Sequence, residues 1–203
     1  MRYKSAVAAG VIALSSFMVA SAAWAQQPTR IRGTLEAVDG SVLTVKGRDG
    51  ALVKVKLADN APIRAVVKMS LADIKQGSFV GVTGMPQPDG SQKALEVHIF
   101  PEAMRGTGEG HRPWDLQPNS TMTNANVEAT VASNDGQVLT MKYKDGEKKI
   151  VVPPTTPIVT YAPGSKDELK PGITVFLIST KKDDGSYEAP AVTISRGDVK
   201  PPM

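Results

Sequence analysis

The sequence predicts an all-β protein of two tandem five-stranded barrels, each with one short helix between its third and fourth strands. Three observations predict it. Residues 31–99 and 127–194 repeat one another at an offset of 96 positions early and 95 later. Asp39 and Gly40 recur as Asp135 and Gly136, Leu43 and Thr44 as Leu139 and Thr140, Pro62 and Ile63 as Pro157 and Ile158, Asp89 and Gly90 as Asp184 and Gly185. An offset that drifts by one residue over such a span marks one structural unit used twice. Within each copy, short apolar-alternating runs are separated by Asp-Gly turns. Beyond residue 25 the chain has one tryptophan, Trp114, and six other aromatic residues, so Val, Ile, Leu and Ala must fill the cores, as suits narrow barrel interiors.

In the first copy, Ile31, Gly33, Leu35 and Ala37 alternate with Arg32, Thr34 and Glu36, the period of a half-buried strand. Asp39 and Gly40 turn the chain, because glycine tolerates the positive φ of a tight hairpin. A second strand follows over 41–46, then a turn at Asp49 and Gly50 and a third strand over 51–57. After Pro62 and an apolar piece over 63–67, Ser70, Asp73 and Gly77 carry the cap, first-turn acid and exit glycine of one helical turn. The second copy states this as a capping box from Ser165 to Glu168, stopped by Pro171 and Gly172. Strands four and five are expected over 79–85 and 95–100, and again over 174–180 and 187–195.

Three strands, a short helix and two strands is the order of the oligonucleotide/oligosaccharide-binding (OB) barrel, a five-stranded Greek key. An unrelated small barrel or an open meander is the alternative. Domain boundaries follow: a secretory leader over 1–25, one OB-like barrel over 26–100, a Gly/Pro-rich linker over 101–122 and a second barrel over 123–203.

The leader pattern is Arg2 and Lys4, an apolar run over 6–20 and Ala23-Trp24-Ala25. It predicts cleavage near Ala25 and Gln26 and a periplasmic or secreted product. An uncleaved anchor is the alternative. No other stretch approaches the ~20 apolar residues of a spanning helix, so no membrane span is expected after leader removal. The leader holds two of the 24 basic residues and none of the 20 acidic ones, leaving an excess of two positive charges and little attraction for nucleic acid. Cysteine is absent, which removes disulfides, thiol nucleophiles and thiolate metal sites.

The paired Gly-turn-strand units and the linker run over 96–111 (EVHIFPEAMRGTGEGH) resemble small exported bacterial proteins of unknown function with tandem OB-like domains. Such proteins are sometimes labelled metal transporter permeases. The resemblance implies the fold and a metal-related context, while the permease label conflicts with the missing spans. It implies no catalytic residue.

Outside both copies, the linker gathers the ligand-type side chains. His98, Glu102, Glu109 and His111, with Glu96 and Asp115 nearby, are the candidate metal set, suited to zinc or another divalent transition metal such as nickel or copper. Two solvated loop histidines are the alternative. Trp114 is either a packing anchor between the barrels or a partner contact. Lys142, Lys144, Lys148 and Lys149 surround a hairpin, where lysine blunts exposed strands. Tyr143 and Tyr161 alone offer base-stacking rings in the second copy, so nucleic acid is not an expected partner. No serine lies in a Gly-x-Ser-x-Gly elbow, and an enzyme is not expected. The reading is an exported, non-catalytic binding or interaction module of the bacterial cell envelope, with an envelope protein or an oligosaccharide as partner. A periplasmic metal-binding accessory protein and a structural envelope-stress protein are its alternatives.

Overall fold

The structure, a computed structural model, describes residues 28–133 and 136–201. The expected leader with its cleavage point, and Asp135 of the second copy's first turn, lie outside the described residues. The fold is all-β, and the only helical segments among those residues are three-residue 3-10 turns. None is long and apolar enough to cross a membrane.

β1 (Thr29–Asp39), β2 (Val42–Gly47) and β3 (Leu52–Leu57) form the antiparallel meander that the period-2 pattern requires. Leu35, Leu43, Val45 and Val55 of its inner face have no exposed surface. After β4 (Ile63–Lys68), β5 (Phe79–Pro86), β6 (Gln92–Ile99) and β7 (Gly110–Pro113), the meander recurs as β8 (Thr121–Ser133), β9 (Gly136–Tyr143) and β10 (Gly146–Val152). Bulges bend β1 between Leu35 and Ala37, and β8 between Val127 and Ala129. They fix the correspondence of the first strands: Leu35 matches Val127, an offset of 92, so the 96-residue offset begins only at β2 and Ile31 is not the counterpart of Val127. The hairpin after β8 is longer, continuing to the pair Ser133 and Gly136.

Strand pairing divides the chain differently from the contiguous barrels expected over 26–100 and 123–203. β12 (Thr174–Lys181), from the second copy, runs antiparallel to β1 with Gly33 opposite Val175. β13 (Tyr187–Ala189) runs parallel to β3 with Val55 opposite Tyr187, and pairs with β12. This closes a five-stranded ring, β1-β2-β3-β13-β12. Reciprocally, β5 pairs with β8 and β6 runs parallel to β10, while β5 and β6 pair together, closing the circuit β8-β9-β10-β6-β5. Each circuit thus takes three strands from one copy and two from the other. The cores are shared likewise: Leu35, Leu43 and Val55 pack with Val175, Leu177 and Ile194, and Val80, Val82 and Val97 with Val127, Leu139 and Ile150.

The crossing occurs at β4 and β11 (Ile158–Pro163), which are antiparallel with Val66 opposite Tyr161. These two positions are 95 apart, the repeat offset itself, so a pseudo-two-fold axis passes between them. β14 (Val192–Ile194) runs parallel to β4, and β6 parallel to β11. The expected helices are single 3-10 turns, Leu71–Asp73 and Lys166–Glu168. Asp73 accepts from the Ser70 amide at 2.8 Å and Glu168 from the Ser165 amide at 2.9 Å. Segments this short cannot repay α-helix nucleation, and the tighter turn suffices.

Candidate functional site: the groove between the barrels

Alternation along β1 and β12 sends Leu35, Val175 and Leu177 inward and leaves Arg30, Arg32, Phe176 and Ile178 on the outer side. On the other circuit the equivalent outer positions are Met122 and Asn124 of β8 and Gly81 and Thr83 of β5. These faces meet beside the axis around a groove of about 270 Å³. Its walls include Phe100, Met122, Trp114, Tyr161 and Phe176, with Arg64 and Arg112 among the lining groups. Gly81 is needed for close approach: a Cβ there would lie 2.7 Å from Asn124 Oδ1 and 3.0 Å from the Phe100 ring.

Beneath Tyr161 and Phe100 lies a buried polar pair. His98 is 0% and Glu96 1% exposed, and the His98 ring sits 3.8 Å from the Tyr161 centroid and 4.8 Å from that of Phe100. Thr83 donates to Glu96 Oε2 at 3.3 Å. Glu96 Oε1 and His98 Nδ1 are 4.0 Å apart, too far for a hydrogen bond, and neither that oxygen nor either His98 nitrogen has a hydrogen-bond partner among the described residues. Burial pushes the Glu96 carboxyl up to about 8, against the hydrogen bond from Thr83 and the charge of Arg32. Burial also pushes His98 down to about 3. Both shifts favour the uncharged forms, so at pH 7 the contact is a carboxylic acid beside a neutral imidazole, rather than an ion pair. Burial, and then Glu96, raise the Tyr161 hydroxyl.

The linker joins the strands of the two circuits. Arg105 reaches Glu102, Asn126 and the Gly77 carbonyl. β7 then pairs with β8, and the chain reaches β1 at Trp114. The Arg30 guanidinium lies 3.9 Å over the Trp114 ring, with Arg112 at 5.5 Å and Arg32 at 5.9 Å. Arg32 grips Asp115 through two bonds of 3.1 and 2.9 Å, and Arg48 donates to the Leu116 carbonyl. Burial works against ionisation of Asp115, but the hydrogen bonds and charge of Arg32, with Arg30, hold its carboxyl below the ordinary range. Trp114 packs against Met122 and Phe176, while its Nε1 has no partner among the described residues. It is thus a packing anchor and a groove wall at once.

The four candidate metal ligands fall into four environments. His98 is buried under aromatic rings. Glu102 is exposed and ion-paired with Arg105 at 2.6 Å. Glu109 accepts from the Lys144 amide at 3.0 Å, drawing the lysine-rich hairpin to the linker. His111 Nδ1 lies 2.8 Å from Thr123 Oγ1, and burial, with Lys148 and Arg112, lowers its pKa. Among the described residues no three His, Cys, Asp or Glu side chains group to hold a metal.

Sequence reasoning did not single out Arg64, Arg112, Phe100, Asn124 or Phe176. The available signal was disagreement between the copies: Phe176 stands opposite Thr193 as Gly81 stands opposite His98. No family model, curated protein or solved structure matches the chain.

Proposed function

We propose that this chain is a non-catalytic binding module of the bacterial cell envelope, built of two OB-like barrels, and that it holds its ligand in the groove between them. The ring order, with a parallel pairing of third and fifth strands in each circuit, supports the OB-like reading. The carrying observation is the groove: aromatic walls from Trp114, Tyr161, Phe100 and Phe176, polar groups at few points, and strands and strap from both copies around it. Such concave, mainly apolar sites with sparse polar groups are where small ligands bind. Glu96 and His98 are not among the groove-lining residues, and the Tyr161 hydroxyl, which does line it, is held protonated by burial, which favours binding over catalysis. The leader pattern supports the envelope assignment.

The test is an NMR titration of the protein with the small-molecule fraction of an envelope extract. The expected result is perturbation of the Trp114 indole N–H and its neighbours, abolished by Ala191→Trp, which fills the groove. Perturbations confined to other faces, or undiminished in A191W, would overturn the reading.

A further inference from the structure

We infer that the groove accepts a small anion carrying one aromatic ring, an aryl-substituted monocarboxylate, with its charge held by Arg64 and Arg112 and its ring laid against Trp114 and Tyr161. This rests on the groove being the ligand site. Charge is the first support. Arg64 and Arg112 line the site and Arg30 and Arg32 lie over its Trp114 wall, and among the described residues the carboxylate that pairs with this group is Asp115, engaged by Arg32 and Arg30. Arg112 donates to the Gly108 carbonyl, and neither it nor Arg64 has an ion-pair partner among the described residues. Burial, and then the neighbouring Arg30, lower the Arg112 pKa, the direction expected of a cation short of counter-charge. Glu96 does not supply that charge, because it is held in its neutral form.

Unmet hydrogen-bonding capacity is the second support. Trp114 Nε1 is a buried donor without an acceptor. Buried polar groups in that condition cost stability until something meets them. Size is the third support. A volume of about 270 Å³ is at the small end for ligand sites, too confined for a folded partner's surface and sufficient for one ring with a short acidic arm. Guanidinium groups match carboxylates in geometry as well as charge, and aromatic walls match a planar ring.

The experiment titrates the full chain, carrying Trp24→Phe so that Trp114 is its sole tryptophan, with phenylacetate, 3-phenylpropionate, acetate and the neutral amides of the two aryl acids. Binding is read by isothermal titration and Trp114 fluorescence. The aryl acids are expected to bind and shift the emission, with the amides and acetate weaker by roughly tenfold or more. Arg64→Gln and Arg112→Gln should each remove most of the preference for acid over amide, read as the ratio of the two affinities within the same variant. Should either variant fail to fold, the acid-to-amide ratio of the parent chain decides alone. Amides binding as tightly as the acids would overturn the anion inference and leave the groove standing as a binding site. No binding by any probe would also overturn it, and the groove reading then stands or falls on the A191W titration of envelope extract.

Discussion

The two strand circuits are nearly the same inside and different on their outer faces. Leu43 and Leu139 are both fully buried at matching places, and Asp89 and Asp184 hold their turns through the same bonds to Ser91 and Ser186. On the facing outer sides the match ends. Arg32 of one barrel corresponds to Asn124 of the other, Phe176 to Gly81, Thr193 to His98 and Val66 to Tyr161. A perfectly symmetric pair would place two equal half-sites about the axis. Here one side supplies bulk and charge and the other bareness and buried polarity, so the groove has a single orientation. The cores answer to folding, and the departures from symmetry gather around the groove proposed as the ligand site.

The largest effects should come from the symmetric part. Leu43→Ala and Leu139→Ala each remove a fully buried side chain and are expected to cost about 2–5 kcal/mol. Because each circuit takes strands from both copies, each variant should lower one common unfolding transition in urea. A biphasic curve in either would break the equivalence.

The asymmetric pair sets a pH dependence. His98 ordinarily titrates near 6.5 and is pushed down to about 3, so the unfolded chain binds its proton first and stability falls as pH drops below 6.5. Glu96 ordinarily titrates near 4.5 and is pushed up to about 8, so the folded chain keeps its proton longer and stability falls as pH rises from 4.5 towards 8. Between 4.5 and 6.5 the two slopes oppose and stability is level. Outside that window it declines, by at most about 1.4 kcal/mol per pH unit on each side. Glu96→Gln should remove the alkaline decline and spare the acid one, as followed by urea midpoints across pH 3–8.

Trp114→Ala tests the strap and is expected to cost about 1–2 kcal/mol, chiefly from the ring's contacts with Arg30, Met122 and Phe176. Asp115→Ala should cost under about 1 kcal/mol and less in high salt, because the carboxylate is about half exposed. A loss from D115A as large as that from W114A would mean that the strap is held by charge more than by packing.

The meander strands of each copy were legible in the sequence because a half-buried strand announces itself by alternation, and the Asp-Gly turns bound it, whereas β4 was read only as an apolar piece and β11 and β7 were not expected as strands. The exchange of β5 and β6 for β12 and β13 was not legible. Pairing within a copy or between copies buries the same apolar faces, so the period-2 pattern of Val80 and Val82 reads alike for either partner. The four-residue lengthening after β8 was equally hidden, since the bulge that reveals it is a feature of pairing. Trp114 was legible as an anchor because a lone large ring in a polar loop must find cover. The metal set was read from residue types crowded along the chain, whereas His98 lies on an outer strand face that Tyr161 of β11 and Phe100 cover, and Glu102 is taken by Arg105 three residues away. Arg64 and Tyr161 become neighbours of the linker only after the crossover, which no local pattern encodes.

Strand exchange is tested most directly by cutting the strap. A protease site placed after Gly106, in the exposed turn before β7, divides the chain into a fragment with β1 to β6 and another with β7 to β14. With each circuit drawing strands from both fragments, the cut protein should remain one particle in size-exclusion chromatography and unfold in one transition, the halves separating only in denaturant. Two separately folded fragments, parting in native buffer with independent melts, would contradict it.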